Sequence, residues 1–500
     1  MFLHAEKIPV GSTIHTDICV IGAGAAGISF AREFIGSSTR VCVLESGQIQ
    51  TTFNRILIWT YRLILRTLNR LHLPTVVTDF ILNSIVSTFA YDPLYDFECP
   101  DLHVGHQSRR RSFGGTMIAW GGKWVRYSKI DFIKRPWVPN SGWPIIRDEL
   151  VPYYVRASKS LHAPDPTNDT FDENFLAGGA FETSVFFVQK KNAQNWGLTL
   201  RSDFEQSQNV TVHTGAHVVS INKDKEGARI ANVSVRTHTG NQYTVSARYF
   251  VLACGGIENP RLLLISNIGN EHDQVGRYYM DHPMGKCGII KPRYQINLYR
   301  YWGQGAMNVG FRLSEAVQEK ESILNSHIFL ESYESTLLRS IKKKILGNRV
   351  STTIAVRNHL EQVPSSTNRV TLSDMKDPLG LPRARVSWSL SDLDKKSIVT
   401  IHRYLQEHIA QAGIGILQSP LLERSPSFKP VSRDAAHHMG TTRMGQDPLT
   451  SVVDKNSKIH GIENMFVTGS SVFPTSGSAN PTATICALAI RLADHLKKIL

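Results

Sequence analysis

A short apolar run, Ile18 to Ile21, breaks at Gly22, Gly24 and Gly27 and gives way to the helix-patterned segment "ISFAREF", so the first fifty residues predict strand, tight turn and helix. A second apolar run, "RVCVLESG", predicts a buried strand ending at Glu45. The segment "VLACGGIENPRLLL" (251–264) repeats the pattern, with a strand running to Gly255-Gly256 and a helix expected to start at Pro260. Near the chain's end "TATICALAIRLADHLKK" reads as a helix, with Asn480 as its N-cap and Pro481 in its first turn. Val218 in "GAHVVSI" reads as a core-strand valine.

Residues 55–93 carry a different rhythm, that of two amphipathic helices broken near Pro74. Arg55, Arg62, Arg66 and Arg70 fall within an arc of about 80°, and most of the remaining circumference is Ile, Leu, Trp and Tyr. Such a basic, apolar helix suits three placements: peripheral contact with an anionic membrane through 55–90, a lid over a pocket, or a dimer contact. The stretch "LLRSIKKKILGNRV" (337–350) has the same character.

Composition narrows the class. Five hundred residues with 41% hydrophobic and 20% charged content describe a globular chain large enough for several domains. The formal charge of +14 is spread along the sequence, and no basic motif interleaved with aromatics is visible, so nucleic acid is not an expected partner. The six cysteines include no CxxC pair, so neither a metal site nor a disulfide framework is expected. The amino-terminal residues lack the pattern of a secretory leader, and no run of about 18 apolar residues offers a membrane span, which favours a cytoplasmic location.

The first turn carries chemistry. In GxGxxG spacing, Gly22 reverses the chain, Gly24 lets a pyrophosphate approach the backbone, and Gly27 lets the helix pack on the strand. Glu45, about 20 residues downstream at the end of the second strand, stands where an acid binds ribose hydroxyls. This reads as a dinucleotide site and leaves FAD and NAD undivided.

The carboxyl-terminal segment "HHMGTTRMG…VTGSSVFPTSGSANPTATICALAIRLADHL", taken with the glycine turn, resembles the glucose-methanol-choline (GMC) oxidoreductases. "RRRSFGGTMIAWGGKW" (109–124), "SGWPIIRDELVPYYVRA" (141–157), "VLACGGIENPRLLL", "VGRYYMDHP" (275–283) and "EQVPSSTNRVTL" (361–372) extend the resemblance in the expected order. It is nearest to the branch of pyranose oxidase and the sugar and polyol dehydrogenases. The resemblance implies an α/β fold: a discontinuous, Rossmann-like FAD-binding domain (10–50, 100–150, 205–285 and 431–500) and an α+β substrate domain with an antiparallel sheet (151–204 and 286–430). Residues 51–99, the main stretch outside the resemblance, are expected to form a helical insertion.

By the same resemblance, FAD is held by Gly22, Gly24, Ala25, Ala26 and Gly27, by Glu45 and Ser46, by Gly114, Gly115, Thr116, Trp120, Gly121 and Gly122, by Val218 and Ala253, and by Gly469, Ser470, Pro481 and Thr482. Gly469 stands where many members carry aspartate. Ala119 stands where some members carry the histidine that bonds covalently to flavin, so FAD is expected to be non-covalent. Arg109, Arg110 and Arg111 suit either a phosphate contact or a solvated charge run.

The family's catalytic histidine precedes a Gly-Thr pair by three residues, which selects His437 ahead of Gly440-Thr441 and leaves His438 as a packed or pocket-lining neighbour. Asn480 matches the family's second catalytic position. A neutral histidine can accept a hydroxyl proton while hydride passes to flavin N5, so the expected reaction is oxidation of a CH–OH group on a sugar, polyol or glycosylated substrate. Rival expectations are a long-chain or sterol-like alcohol, a non-redox lyase, and a membrane-bound binding member. The electron acceptor (oxygen, quinone or protein) and the choice between oxidase and dehydrogenase are undetermined by any motif.

Overall fold

The computed structural model describes residues 1–49, 95–100, 108–167, 179–190, 192–294, 296, 307–332, 353–431 and 435–500. The amphipathic expectations for 55–93 and 337–350 therefore lie outside the described residues.

Eight strands form the first sheet: β1 (Phe2–His4), β2 (Thr13–Ile21), β3 (Val41–Glu45), β6 (Val210–Thr214), β7 (His217–Lys223), β8 (Ile230–Arg236), β9 (Gln242–Leu252) and β17 (Met465–Val467). Their order is β1-β6-β3-β2-β9-β8-β7, with β17 beside β9. The pairs from β1 to β9, and β9 with β17, are parallel, whereas β7, β8 and β9 meet as antiparallel neighbours. All five residues of β3 and Ile18 to Ile21 of β2 are buried, as expected of parallel strands covered on both faces.

Helix α1 (Ala25–Arg32) connects β2 to β3 and packs beside α5 (Thr482–Ile499). Helix α2 (Arg147–Ser160) lies on α5, where the Tyr154 hydroxyl meets Thr484 Oγ1 at 2.7 Å and Arg156 pairs with Asp494. The domain boundary expected at 150–151 thus falls inside a helix that packs with the nucleotide-side elements.

The second sheet is antiparallel, in the order β16-β10-β13-β12-β11-β5-β4. Its strands are β4 (Lys123–Trp124), β5 (Phe181–Val188), β10 (Met284–Pro292), β11 (Met307–Leu313), β12 (Ser326–Ser332), β13 (Ile354–Leu360) and β16 (Gly415–Gln418). Helix α4 (Asp392–Gln411) starts at a capping box in which Ser391 accepts from the Asp394 amide. Its Ile401, Leu405 and Ile409, four residues apart, bury one stripe against Val309, Phe311, Ile328 and Val356 of this sheet. A two-stranded ribbon, β14 (Arg369–Lys376) with β15 (Pro382–Ser387), covers α3 (Gly255–Ser266).

Helix α3 departs from the sequence reading. It begins at Gly255 rather than Pro260, and Pro260 stands inside it. Pro260 cannot donate to the carbonyl one turn earlier, and that carbonyl, Gly256 O, instead accepts from the Thr441 hydroxyl at 2.6 Å. The proline thereby creates the acceptor that ties the 437–441 loop to this helix.

Candidate active site

The C-terminal ends of β2, β3 and β9 open onto one cleft. This is the edge at which open parallel sheets place their ligands. Gly22 turns the chain with φ of +102°, and a Cβ there would stand 2.8 Å from the Ala253 carbonyl oxygen. A Cβ on Gly27 would stand 1.9 Å from the Gly22 carbonyl oxygen, so helix α1 can approach the strand only without one.

The cleft is lined by Gly22, Gly24, Ala25, Ala26, Glu45, Ser46, Gly115, Thr116, Val218, Ala253, Gly469, Ser470, Pro481 and Thr482, together with His437 and His438. Gly114 packs against Gly197 instead. Trp120, Gly121 and Gly122 are not among the residues that line the cleft: Trp120 donates from Nε1 to the Gln194 carbonyl at 2.7 Å, and Gly122 lies against the Gln194 side chain.

The charges around the cleft are paired. Glu45 accepts from the backbone amides of Ala23 at 3.0 Å and Gly47 at 2.8 Å, and burial pushes its carboxyl pKa up. Arg109 reaches Glu258 at 2.8 Å, and Arg111 donates to Ser46 Oγ at 3.0 Å while lying over the Tyr95 ring. Arg109, Arg110 and Arg111 all line the cleft and are not a solvated run.

His437 and Asn480 come together across the mouth of α5. Asn480 Nδ2 lies 3.2 Å from His437 Nε2, and Asn480 Oδ1 is buried with no partner among the described residues, an acceptor left for a ligand. Asn480 does not cap α5; Pro481 occupies that position and no side chain caps the helix. Asn480 turns its Nδ2 to the imidazole and its Oδ1 caps no backbone amide, so the helix start, lined by Pro481, Thr482 and Ile485, is left facing the cleft. Helix α1 likewise begins without a side-chain cap, so two helix N-termini converge on one cavity.

His438 packs as a neighbour: its Nε2 meets Ser108 Oγ at 3.1 Å, its ring stacks with Tyr279, and its carbonyl accepts from Ser470 Oγ.

Three contributors were not singled out in the sequence. Buried Asp281 accepts from the backbone amides of His282, Ala435 and His437, fastening the 435–438 loop to the start of the second sheet. His282 Nδ1 lies 2.8 Å from His437 Nδ1. His359, opposite His327 in the β12/β13 register, brings a third imidazole within 4.8 Å of the other two. The motif "YYMDHP" was the available signal, but its partners are more than 150 residues away in sequence.

Comparison with known proteins decides the family. Two GMC oxidoreductase models match, one over residues 188–284 and the other over 364–489. The chain belongs to the GMC oxidoreductase family. It is 23% identical to a 2-methyl-1,2-propanediol dehydrogenase of Mycolicibacterium austroafricanum, with 97% of this chain and 96% of the relative covered. It is 24% identical to the fructose dehydrogenase large subunit of Gluconobacter japonicus, with 97% and 98% covered. Among solved structures, a formate oxidase variant of Aspergillus oryzae superposes with a TM-score of 0.57 at 17% identity, covering 98% of this chain and 99% of that one.

This GMC oxidoreductase is an FAD-dependent enzyme of the alcohol-oxidising kind. Its cleft fits such a cofactor: the glycine turn and two uncapped helix starts present backbone amides, and Arg109, Arg111 and Glu45 line the same space. Among the described residues no helix is long and apolar enough to cross a membrane.

The imidazoles buried in and behind the candidate site of this GMC oxidoreductase are held neutral. Burial, then the charges of His282, His438 and Lys123, keep His437 well below the ordinary imidazole range. Burial also brings His213 and His282 down to about 4, and His217, His327, His402 and His438 down to about 3. Each binds a proton in the unfolded chain near pH 6.5 but not in the fold until far lower, so unfolding takes up protons between about pH 6.5 and 4. Burial raises Asp131 and Asp394 to about 6, and these two oppose the trend because they hold protons in the fold at pH values where the unfolded chain has lost them. The more numerous histidines win, at up to about 1.4 kcal/mol per pH unit each. The melting temperature of the holoprotein is therefore expected to fall steadily from pH 6.5 to 5, with proton uptake on unfolding in calorimetry; a flat profile contradicts the neutral burial.

Proposed function

We propose that this chain oxidises a CH–OH group of a sugar or polyol, with His437 as the base that takes the hydroxyl proton and Asn480 holding the same oxygen. The observation that carries the reading is the His437–Asn480 pair, 3.2 Å apart, with His437 and the residue after Asn480, Pro481, lining the cleft. A neutral imidazole can accept a proton, and the hydroxyl becomes a hydride donor only as that proton leaves. Bound FAD supplies the acceptor for the hydride. The start of α5, which faces the cleft, would lend partial positive charge to a flavin that becomes negative on reduction.

A polar substrate is supported by relatives whose names specify fructose and a diol. Mixing the holoprotein anaerobically with a panel of sugars and polyols is expected to bleach the flavin, with fatty and sterol alcohols inert. The reverse preference would redirect the substrate assignment to apolar alcohols.

The cofactor is held without a covalent bond, because Ala119 offers no nucleophile where some relatives carry histidine. Acid precipitation is expected to leave the flavin in the supernatant. Colour retained in the washed pellet would contradict this.

A further inference from the structure

We infer that His282 is a positioning residue that fixes which nitrogen of His437 carries its hydrogen, leaving Nε2 bare to receive the substrate proton. The inference rests on the reading of His437 as the base and adds a cause for its competence.

The argument starts from groups that can only accept. His282 Nε2 lies 3.2 Å from the Ser476 carbonyl oxygen and 3.0 Å from that of Gly477, so Nε2 must carry a hydrogen. His282 is fully buried, and burial keeps the ring neutral with that single hydrogen. Its Nδ1 is then a bare acceptor. His437 Nδ1, 2.8 Å away, must donate to it, and a neutral His437 has no second hydrogen for Nε2. The opposite end agrees, since Asn480 Nδ2 can only donate toward His437 Nε2.

His359 does not compete for the bare nitrogen of His282. Its own Nδ1 faces the Ser478 carbonyl at 2.8 Å, another acceptor, so its hydrogen is committed there. Three successive backbone carbonyls, Ser476 to Ser478, thus set the tautomers of two histidines, and through His282 that of a third. Asp281 holds the backbone of both His282 and His437, keeping the two rings in register. An ion shared by the three imidazoles fits less well, because nitrogens about 2.0–2.1 Å from one tetrahedral metal lie roughly 3.3 Å apart, whereas 2.8 Å is a hydrogen-bond separation.

In the reaction the substrate O–H bond breaks, its electron pair stays on oxygen, and the proton forms a bond to His437 Nε2. The resulting imidazolium keeps its Nδ1 hydrogen on His282. With His282 removed, His437 can take the Nε2–H form once the Asn480 amide turns its unpartnered Oδ1 toward that nitrogen, and the base nitrogen is blocked.

Nitrogen-15 NMR of histidine-labelled holoprotein tests this without turnover, with His437 assigned by its loss in His437→Gln. The wild type is expected to show His437 protonated at Nδ1 and bare at Nε2, and this spectrum alone decides the tautomer. His282→Phe is expected to shift His437 toward Nε2–H and to slow flavin reduction about 100-fold at unchanged FAD content. His282→Gln, whose carbonyl can accept from Nδ1 while its amide donates to the backbone, is expected to recover both. An Nε2–H signal in the wild type, a stoichiometric bound metal, or an unchanged tautomer and rate in His282→Phe overturns the inference while leaving His437 as base. Normal reduction in His437→Gln removes the reading beneath it.

Discussion

Replacing His437 with alanine is expected to slow reduction of the bound flavin by about 10²- to 10⁴-fold, the usual worth of a positioned general base, while FAD still binds. The separation follows from geometry. The cofactor cleft is built mainly by the glycine turn, Glu45, the 108–117 segment and the starts of α1 and α5, none of which depends on the His437 side chain. The side chain instead meets His282 and Asn480. Stopped-flow absorbance under anaerobic conditions reads the rate, and flavin content per polypeptide reads the binding. Near-normal reduction at full occupancy would take the base away from His437.

The second large effect is on stability. Glu361→Ala is expected to destabilise the holoprotein by about 3–5 kcal/mol, because it strands a buried guanidinium. Arg135 and Glu361 have fully buried side chains and pair in a two-pronged contact, with Nη1 2.8 Å from Oε2 and Nη2 on Oε1. Glu361 also accepts from the Asn325 amide, and Asn325 Nδ2 donates to Asp131 at 2.9 Å.

The network therefore ties the segment 131–135 to the end of β13 and the residue before β12. Thr475 donates to the Asp131 carbonyl, which connects it to the loop leading to Asn480. Urea unfolding of wild type and variant measures the cost, and a loss below about 1 kcal/mol would mean that the pair is solvated in solution. The Arg135→Met/Glu361→Leu double variant is expected to recover part of the loss, since removing both charges leaves neither stranded.

What could be read from the sequence was local. The GxGxxG turn, the strand ending at Glu45 and the terminal helix each depend on neighbours within about twenty residues, and each stands where the pattern put it. His437 and Asn480 were assigned from motifs, and the fold brings them within hydrogen-bond range.

The failures have tertiary causes. Asn480 was read as a helix cap because Asn-Pro before an apolar helix usually is one, but the imidazole engages its amide. Pro260 was read as a helix start, yet a hydroxyl from 181 residues downstream takes the carbonyl it vacates. The sequence leaves Arg109 and Arg111 open between solvent and phosphate, and residues brought in from other segments, among them Glu258, Ser46 and Tyr95, give them a place beside the cleft. His282 and Asp281 act through residues more than 150 positions away, a relation that no periodicity encodes.

The central claim is that a flavin lies beside His437 and takes hydride from an alcohol. The absorbance spectrum of the purified protein, recorded before and after anaerobic addition of a polyol such as fructose or 1,2-propanediol, tests it most directly. A yellow protein that bleaches with such an alcohol in the wild type and only very slowly in His437→Ala is the expected result. A colourless protein that stays colourless after incubation with FAD, or a bound flavin that no alcohol reduces, would contradict it.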